Sequence, residues 1–309
     1  SPAVSGKDVK PQIIVFDGKN APMVDSKYIG EELIVSDKTT LLGADDKAGV
    51  AEIIAACERI IADETMKHGR ISICFTPDEE IGRGADRFDF ERFGADFAYT
   101  VDGGELGEIS NENFNAAAVE LTVHGINTHP GSAKNKMRNA ILFLNEFINL
   151  LPAAEIPACT EGREGFYHID SVSGNETEAR LSMLIRDFDK EGFEKRKQYI
   201  ESTVAFLNKK YGGATFEVSV TDSYYNMLEI IEKYPEITAR IENAMRKTGV
   251  KPEFEPIRGG TDGARLSFEG LPCPNLSTGG MNFHSIYEAI PVKSLEKMTD
   301  VLINILCED

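Results

Sequence analysis

Leu42-Gly43-Ala44-Asp45-Asp46-Lys47-Ala48-Gly49-Val50-Ala51-Glu52-Ile53-Ile54-Ala55-Ala56-Cys57-Glu58-Arg59-Ile60-Ile61 is the stretch on which the fold of this chain turns. Val50, Ile53, Ile54, Cys57, Ile60 and Ile61 recur at the i, i+3, i+4, i+7 spacing of a helix with one apolar face. Outward from it, short Ile- and Val-rich runs at 12–16, 32–35, 70–75 and 97–101 have the length and composition of buried strands. Strand, helix and strand in that order predict an α/β layer with a mostly parallel sheet.

Near residue 113 the pattern changes. Ala117, Val119, Leu121 and Val123 alternate with Ala118, Glu120 and Thr122, which predicts a sheet with one wet face. A helix follows, with Met137, Ala140, Ile141, Leu144, Ile148 and Leu151 in register, and Pro152 ends it. A hairpin (165–172 and 179–187), a helix (193–211) closed by Gly212-Gly213, and a strand with Phe216, Val218 and Val220 complete the order β-α-β-β-α-β. That order is ferredoxin-like. A helix at 235–248, a buried strand at 275–278 and a last helix through Val292, Leu295, Met298, Val301, Leu302 and Ile305 return to α/β character. The expected organisation is one discontinuous α/β domain, 1–112 and 224–309, with a small sandwich domain, 113–223, inserted in it.

The 309 residues carry 33 Lys+Arg against 51 Asp+Glu, a formal charge of −18, and 41% are hydrophobic. The apolar share excludes a disordered chain. The acidity makes nucleic acid and anionic membrane surfaces poor partners. No run approaches the ~18 apolar residues of a membrane span, and the N-terminus has no signal-peptide pattern. Five scattered cysteines without CxxC spacing predict reduced, mostly buried thiols in the cytoplasm.

Four segments carry the chemistry, each with a plainer alternative. Asp45 and Asp46 stand where strand meets helix, as a cap and first-turn acid or as a metal ligand. Asp78-Glu79-Glu80 follows the run 70–75, as a solvated acidic loop or as a ligand beside a general base. Asp102 precedes Gly103-Gly104, as a turn residue or as a third acid on the sheet edge where open α/β sheets place ligands. His284 follows a strand and Gly279-Gly280, as a surface histidine or as the imidazole completing a carboxylate site. Asp, Glu and His around divalent ions is a set that zinc accepts, and also cobalt or manganese.

In order along the chain, 43–49 (GADDKAG), 75–84 (FTPDEEIGRG), 101–104 (VDGG), His129-Pro130-Gly131, 185–189 (IRDFD), 257–267 (IRGGTDGARLS) and the Gly-Gly-Met-Asn-Phe-His close at 279–284 resemble the peptidase T branch, tripeptide aminopeptidases, of a di-zinc metallopeptidase family. Glutamate carboxypeptidase, aminoacylase and succinyl-diaminopimelate desuccinylase are of the same family. The resemblance implies a catalytic domain interrupted by a lid that also carries subunit contacts, hence a homodimer, and short peptides as substrates. It implies two zinc ions, with Asp45 bridging them, Glu79 as base, Glu80 a ligand of one ion, and Asp102 a ligand of one ion and His284 of the other. It further implies His129 at the tetrahedral intermediate, Arg186 and Arg258 on the substrate carboxylate, and Asn282 in substrate binding.

One element of the family pattern, the His-x-Asp motif that supplies one ion's histidine, has no counterpart before Asp45, and Ser1-Pro2 through Lys10-Pro11 read like the segment just downstream of it. The expectation is an N-terminal segment absent from this sequence. The enzymatic alternative is a deacylase or carboxypeptidase of the same family, and the non-enzymatic one a truncated, inactive chain.

Overall fold

The computed structural model describes residues 8–213 and 215–307. The stretch Ser1–Lys7, read above as lying just downstream of the motif, is outside them. In chain order the elements are β1 (Pro11–Val15), β2 (Glu32–Ser36), α1 (Ala44–Ala62), α2 (Phe90–Phe93), β3 (Thr100–Gly103), β4 (Glu108–Ser110), β5 (Asn115–His124), α3 (Ala140–Leu150), β6 (Phe166–Gly174), β7 (Glu178–Asp187) and α4 (Lys190–Tyr211). They continue with β8 (Phe216–Tyr224), α5 (Leu228–Ile231), α6 (Pro235–Lys247), β9 (Glu253–Phe254), α7 (Asp262–Phe268), β10 (Asn275–Ser277), β11 (Ala289–Pro291) and α8 (Val292–Leu306). The chain separates into two compact units. One is Ser1–Asn111 with Met227–Glu255 and Thr261–Asp309; the other is Glu112–Asn226 with Pro256–Gly260.

The first unit contains a sheet in the order β3-β10-β4-β9, in which β3/β10 and β4/β9 are parallel and β10/β4 antiparallel. Ala56 and Ile60 of α1, Ile241 and Met245 of α6, and Met298, Val301 and Leu302 of α8 close over Val101, Ile109 and Leu276 of that sheet. A second, antiparallel sheet runs β1-β2-β11. Leu42, Ala44 and Ala48 pack on Ile290 of β11, which ties the start of α1 to the return half of the chain.

Three expectations change here. The buried stripe of α1 is Ala48, Glu52, Ala56 and Ile60, whereas Ile54 and Ile61 are exposed. Small residues win that face because α1 approaches β3 closely: a Cβ on Gly49 would collide with the Val101 carbonyl. The run 70–75 forms no ladder, and Ile73 and Phe75 are 46% and 50% exposed. An extended run becomes a strand only when a neighbour supplies N–H and C=O partners, and among the described residues none lies alongside. The five cysteines are free, but only Cys273 is buried.

The second unit is the four-stranded antiparallel sheet β6-β7-β5-β8 with α3 and α4, the strand order of a ferredoxin-like β-α-β-β-α-β unit. Val119, Leu121 and Val123 of β5 face Leu144 and Phe147 of α3 and Phe193, Ile200 and Leu207 of α4 in one core. Asn139 caps α3 through Ile141 N–H and Leu142 N–H, so Met137 falls in the preceding turn; Asp189 caps α4, and Gly212 ends it in a left-handed conformation.

Candidate metal centre

Three loops of the first unit carry the acids and the imidazole. In the turn from β2 into α1, Gly43 takes φ 68°, the left-handed region that favours glycine, and Asp45 and Asp46 keep non-helical dihedrals before the regular helix begins. The Asp45–Asp46 peptide bond is cis. Asp46 accepts the Gly49 N–H at 3.1 Å, satisfying a donor of the first helical turn. Glu79 and Glu80 lie in a single tight turn, Glu79–Ile81, between Asp78 and Gly82, both left-handed. His284 sits on a loop whose ends are joined by the paired backbones of Met281 and Ala289. Within it Asn282 donates to the carbonyls of Met23 (3.2 Å) and Tyr287 (3.4 Å).

These loops bring the His284 Nε2 to 3.0 Å from Asp45 Oδ2 and 3.2 Å from Glu80 Oε2. One ligand atom from each of the three residues lies within 4.8 Å of the others, and no other His/Cys/Asp/Glu trio among the described residues does so. Asp102, at the end of β3, shares a hydrogen bond with Asp45. Burial, then Asp46 and Asp45, push the Asp102 carboxyl up to about 9. Burial also raises Asp46 to about 7, against the lowering Gly49 N–H. Glu79 is raised by burial, then by Asp262, Asp45 and Glu80, with His284 opposing. Among the described residues no Lys or Arg pairs with Asp45, Glu80 or Asp102. Oxygen and imidazole donors converging without a cationic side chain fit a divalent ion.

The other expected site residues are placed as follows. His129, Arg186 and Arg258 belong to the second unit. The His129 Nδ1 accepts the Gly131 N–H at 3.1 Å. Arg186 donates to the Ile185 carbonyl and lies over the Tyr224 ring, 5.3 Å from its centroid. Arg258 donates to the carbonyls of Gly162 and Glu164 and to Thr160, with its guanidinium over Phe114 and Phe166.

Two acids of the first unit have no role in the sequence reading, although Asp262 lies within the 257–267 motif. Asp262 accepts the Thr76 hydroxyl at 3.0 Å and the Ala85 N–H, so it holds both ends of the loop that bears Glu79 and Glu80. Glu288, 2% exposed, accepts the N–H groups of Gly43 and Asp45. A lone acid directly before the apolar Ala289-Ile290-Pro291 was the available signal for Glu288.

A sequence profile of the peptidase family M20/M25/M40 matches residues 43–308. The chain is 53% identical over 321 residues to a protein named Peptidase T from Caldanaerobacter subterraneus subsp. tengcongensis, covering 99% of this chain and 78% of the relative. It is also 53% identical to a Peptidase T of Halothermothrix orenii, covering 99% and 79%. The crystal structure of the aminopeptidase PepT from Bacillus cereus superposes with a TM-score of 0.80 at 26% identity, covering 98% of this chain and 77% of that one.

Proposed function

This chain belongs to the peptidase family M20/M25/M40, and from that membership we propose that it is an aminopeptidase removing the N-terminal residue of tripeptides at a two-zinc centre. The observation that carries the reading is the convergence of Asp45, Glu80 and His284 beside Glu79. The names of the two relatives and of the solved structure support the reaction class.

In this reading Asp45 would bridge two ions, Glu80 and His284 would hold one, and Asp102 would hold the other. Zinc suits this donor set, and cobalt or manganese would also be accepted. Bound ions of this kind polarise a scissile carbonyl and lower the pKa of water. Glu79 takes the proton of the attacking water and delivers it to the departing amine; its raised pKa suits both steps. His129 donates to the tetrahedral oxyanion, and Asn282 contributes to substrate binding. Arg186 and Arg258 are the candidates for the substrate carboxylate, and Arg258 must exchange carbonyl partners to reach it. The second unit serves as lid and homodimer contact. We place the enzyme in the cytoplasm on its scattered, free cysteines; among the described residues no helix is long and apolar enough to cross a membrane.

The test is hydrolysis of Ala-Ala-Ala by the zinc-loaded chain, compared with its N-acetylated and C-amidated forms. Release of free N-terminal alanine from the unblocked peptide alone is expected. Equal or preferred cleavage of the N-acetylated peptide would place the protein with the deacylases or carboxypeptidases of the family.

A further inference from the structure

We propose that Glu288 is a positioning residue for the metal centre, fixing Asp45 against His284. The proposal rests on the metal-centre reading above and goes beyond it to a residue outside the ligand set. Glu288 stands four positions after His284, at the base of the loop closed by Met281 and Ala289. Its two oxygens are divided between two donors of another loop: Oε2 accepts Gly43 N–H at 2.6 Å and Oε1 accepts Asp45 N–H at 3.0 Å. The same short segment therefore carries the imidazole at one end and, at the other, the carboxylate that grips the backbone of the opposing ligand. Hydrogen bonds from N–H to a buried carboxylate are the strong, charge-assisted kind.

Two observations argue that this arrangement serves the site rather than general stability. Glu288 is 2% exposed, and among the described residues no Lys or Arg forms a salt bridge with it. Burying a carboxylate without a cation is costly; an ordinary turn would be held by a neutral acceptor. Furthermore, the Gly43–Asp45 backbone already docks through Leu42 and Ala44 on Ile290, so packing alone secures its place in the core. What Glu288 adds is direction at Asp45, whose side chain must meet His284 at 3.0 Å. Partners behind the ligands of a metal site commonly alter affinity by ~10–100-fold.

The experiment is a cobalt(II) titration of the purified chain, followed by visible absorption, for wild type, Glu288→Gln and Glu288→Asp, with thermal unfolding of each metal-free protein. Gln replaces one of the two acceptor oxygens by an NH2 donor that would face a backbone N–H, so Glu288→Gln is expected to weaken cobalt binding by ~10–100-fold with an altered absorption envelope. Its metal-free unfolding midpoint should fall by no more than about 10 °C, leaving the protein folded at the temperature of the titration. Glu288→Asp keeps the charge but is one methylene short and should fall between the two; it also supplies the reading if the Gln variant does not fold. Wild-type affinity and spectrum in either folded variant overturn the proposal. A wild-type chain that takes up no cobalt overturns the metal-centre reading itself, and this inference with it.

Discussion

Gly84→Ala tests how the loop bearing Glu79 and Glu80 is held. A Cβ on Gly84 would stand 2.6 Å from Asp262 Cγ and 2.7 Å from Oδ1, and closer still to Oδ2. That carboxylate has nowhere to go: it is buried and holds the Thr76 hydroxyl and the Ala85 N–H. Overpacking of this kind costs about 1–3 kcal/mol, and loosening a charged hydrogen bond adds ~1.5–3 kcal/mol when it is lost completely. A destabilisation of roughly 2–4 kcal/mol is therefore expected for Gly84→Ala. The decisive measurement is a double-mutant cycle with Asp262→Ala by urea unfolding. With the carboxylate gone the three atoms nearest the added methyl are removed, and φ at Gly84 is outside the left-handed region. The remaining effect is the usual gain of ~0.4–1 kcal/mol from a less flexible unfolded chain. Gly84→Ala should thus change sign, destabilising with Asp262 present and neutral or stabilising without it. Additive effects, within ~0.5 kcal/mol, would refute the claim that Asp262 and Gly84 are in direct contact.

Glu79→Gln should lower kcat on a tripeptide by ~10²–10⁴-fold while cobalt affinity stays at the wild-type value; a parallel loss of metal would make Glu79 a ligand instead. Asp45→Ala should abolish the rise in unfolding midpoint that saturating zinc gives the wild type, which at a hundredfold excess over Kd corresponds to about 2.7 kcal/mol; a retained shift would refute the bridging role. Burial, then Asp46, push Glu52 from 4.5 up to about 10. The folded protein therefore holds a proton there that the unfolded chain releases above about 4.5, and stability is lost as pH rises through the window from 4.5 to about 10. Glu52→Met should flatten the pH slope of urea stability in that window, by up to ~1.4 kcal/mol per pH unit; parallel slopes in the two proteins would count against it.

The parts of the fold that could be read from the sequence are those set by local periodicity. The alternation of residues 117–123 gave β5 its face, and the apolar spacing of 193–211 gave α4 its core side, because in both the side-chain period and the burial agree. The helix at α1 was legible, but its buried face was not. Periodicity favours the larger Ile54 and Ile61, whereas the close approach to β3 selects Gly49, Ala56 and the orphaned Glu52. The acids and imidazole of the site were recognisable as types beside turns, and the structure brings Asp45, Glu80 and His284 together from three loops. Glu288 and Asp262 were not, since their partners are backbone N–H groups and a threonine hydroxyl far away in the chain. The segment 70–75 looked like a strand because composition reports a preference, whereas a strand also requires a neighbour.

His284 reaches Asp45 across 239 positions of the chain. At ~5–20 residues per second of synthesis, the aspartate is made roughly ten to fifty seconds before the histidine. During that interval Asp45, Glu80 and Asp102 have been made, and the ferredoxin-like unit between the two halves has been completed. Of Asp45, Glu80, Asp102 and His284, only the carboxylates are then available to an ion captured early. In the proposed reading the imidazole is the last of these four groups to arrive, and it completes their cluster only when the return half of the chain has closed on the first.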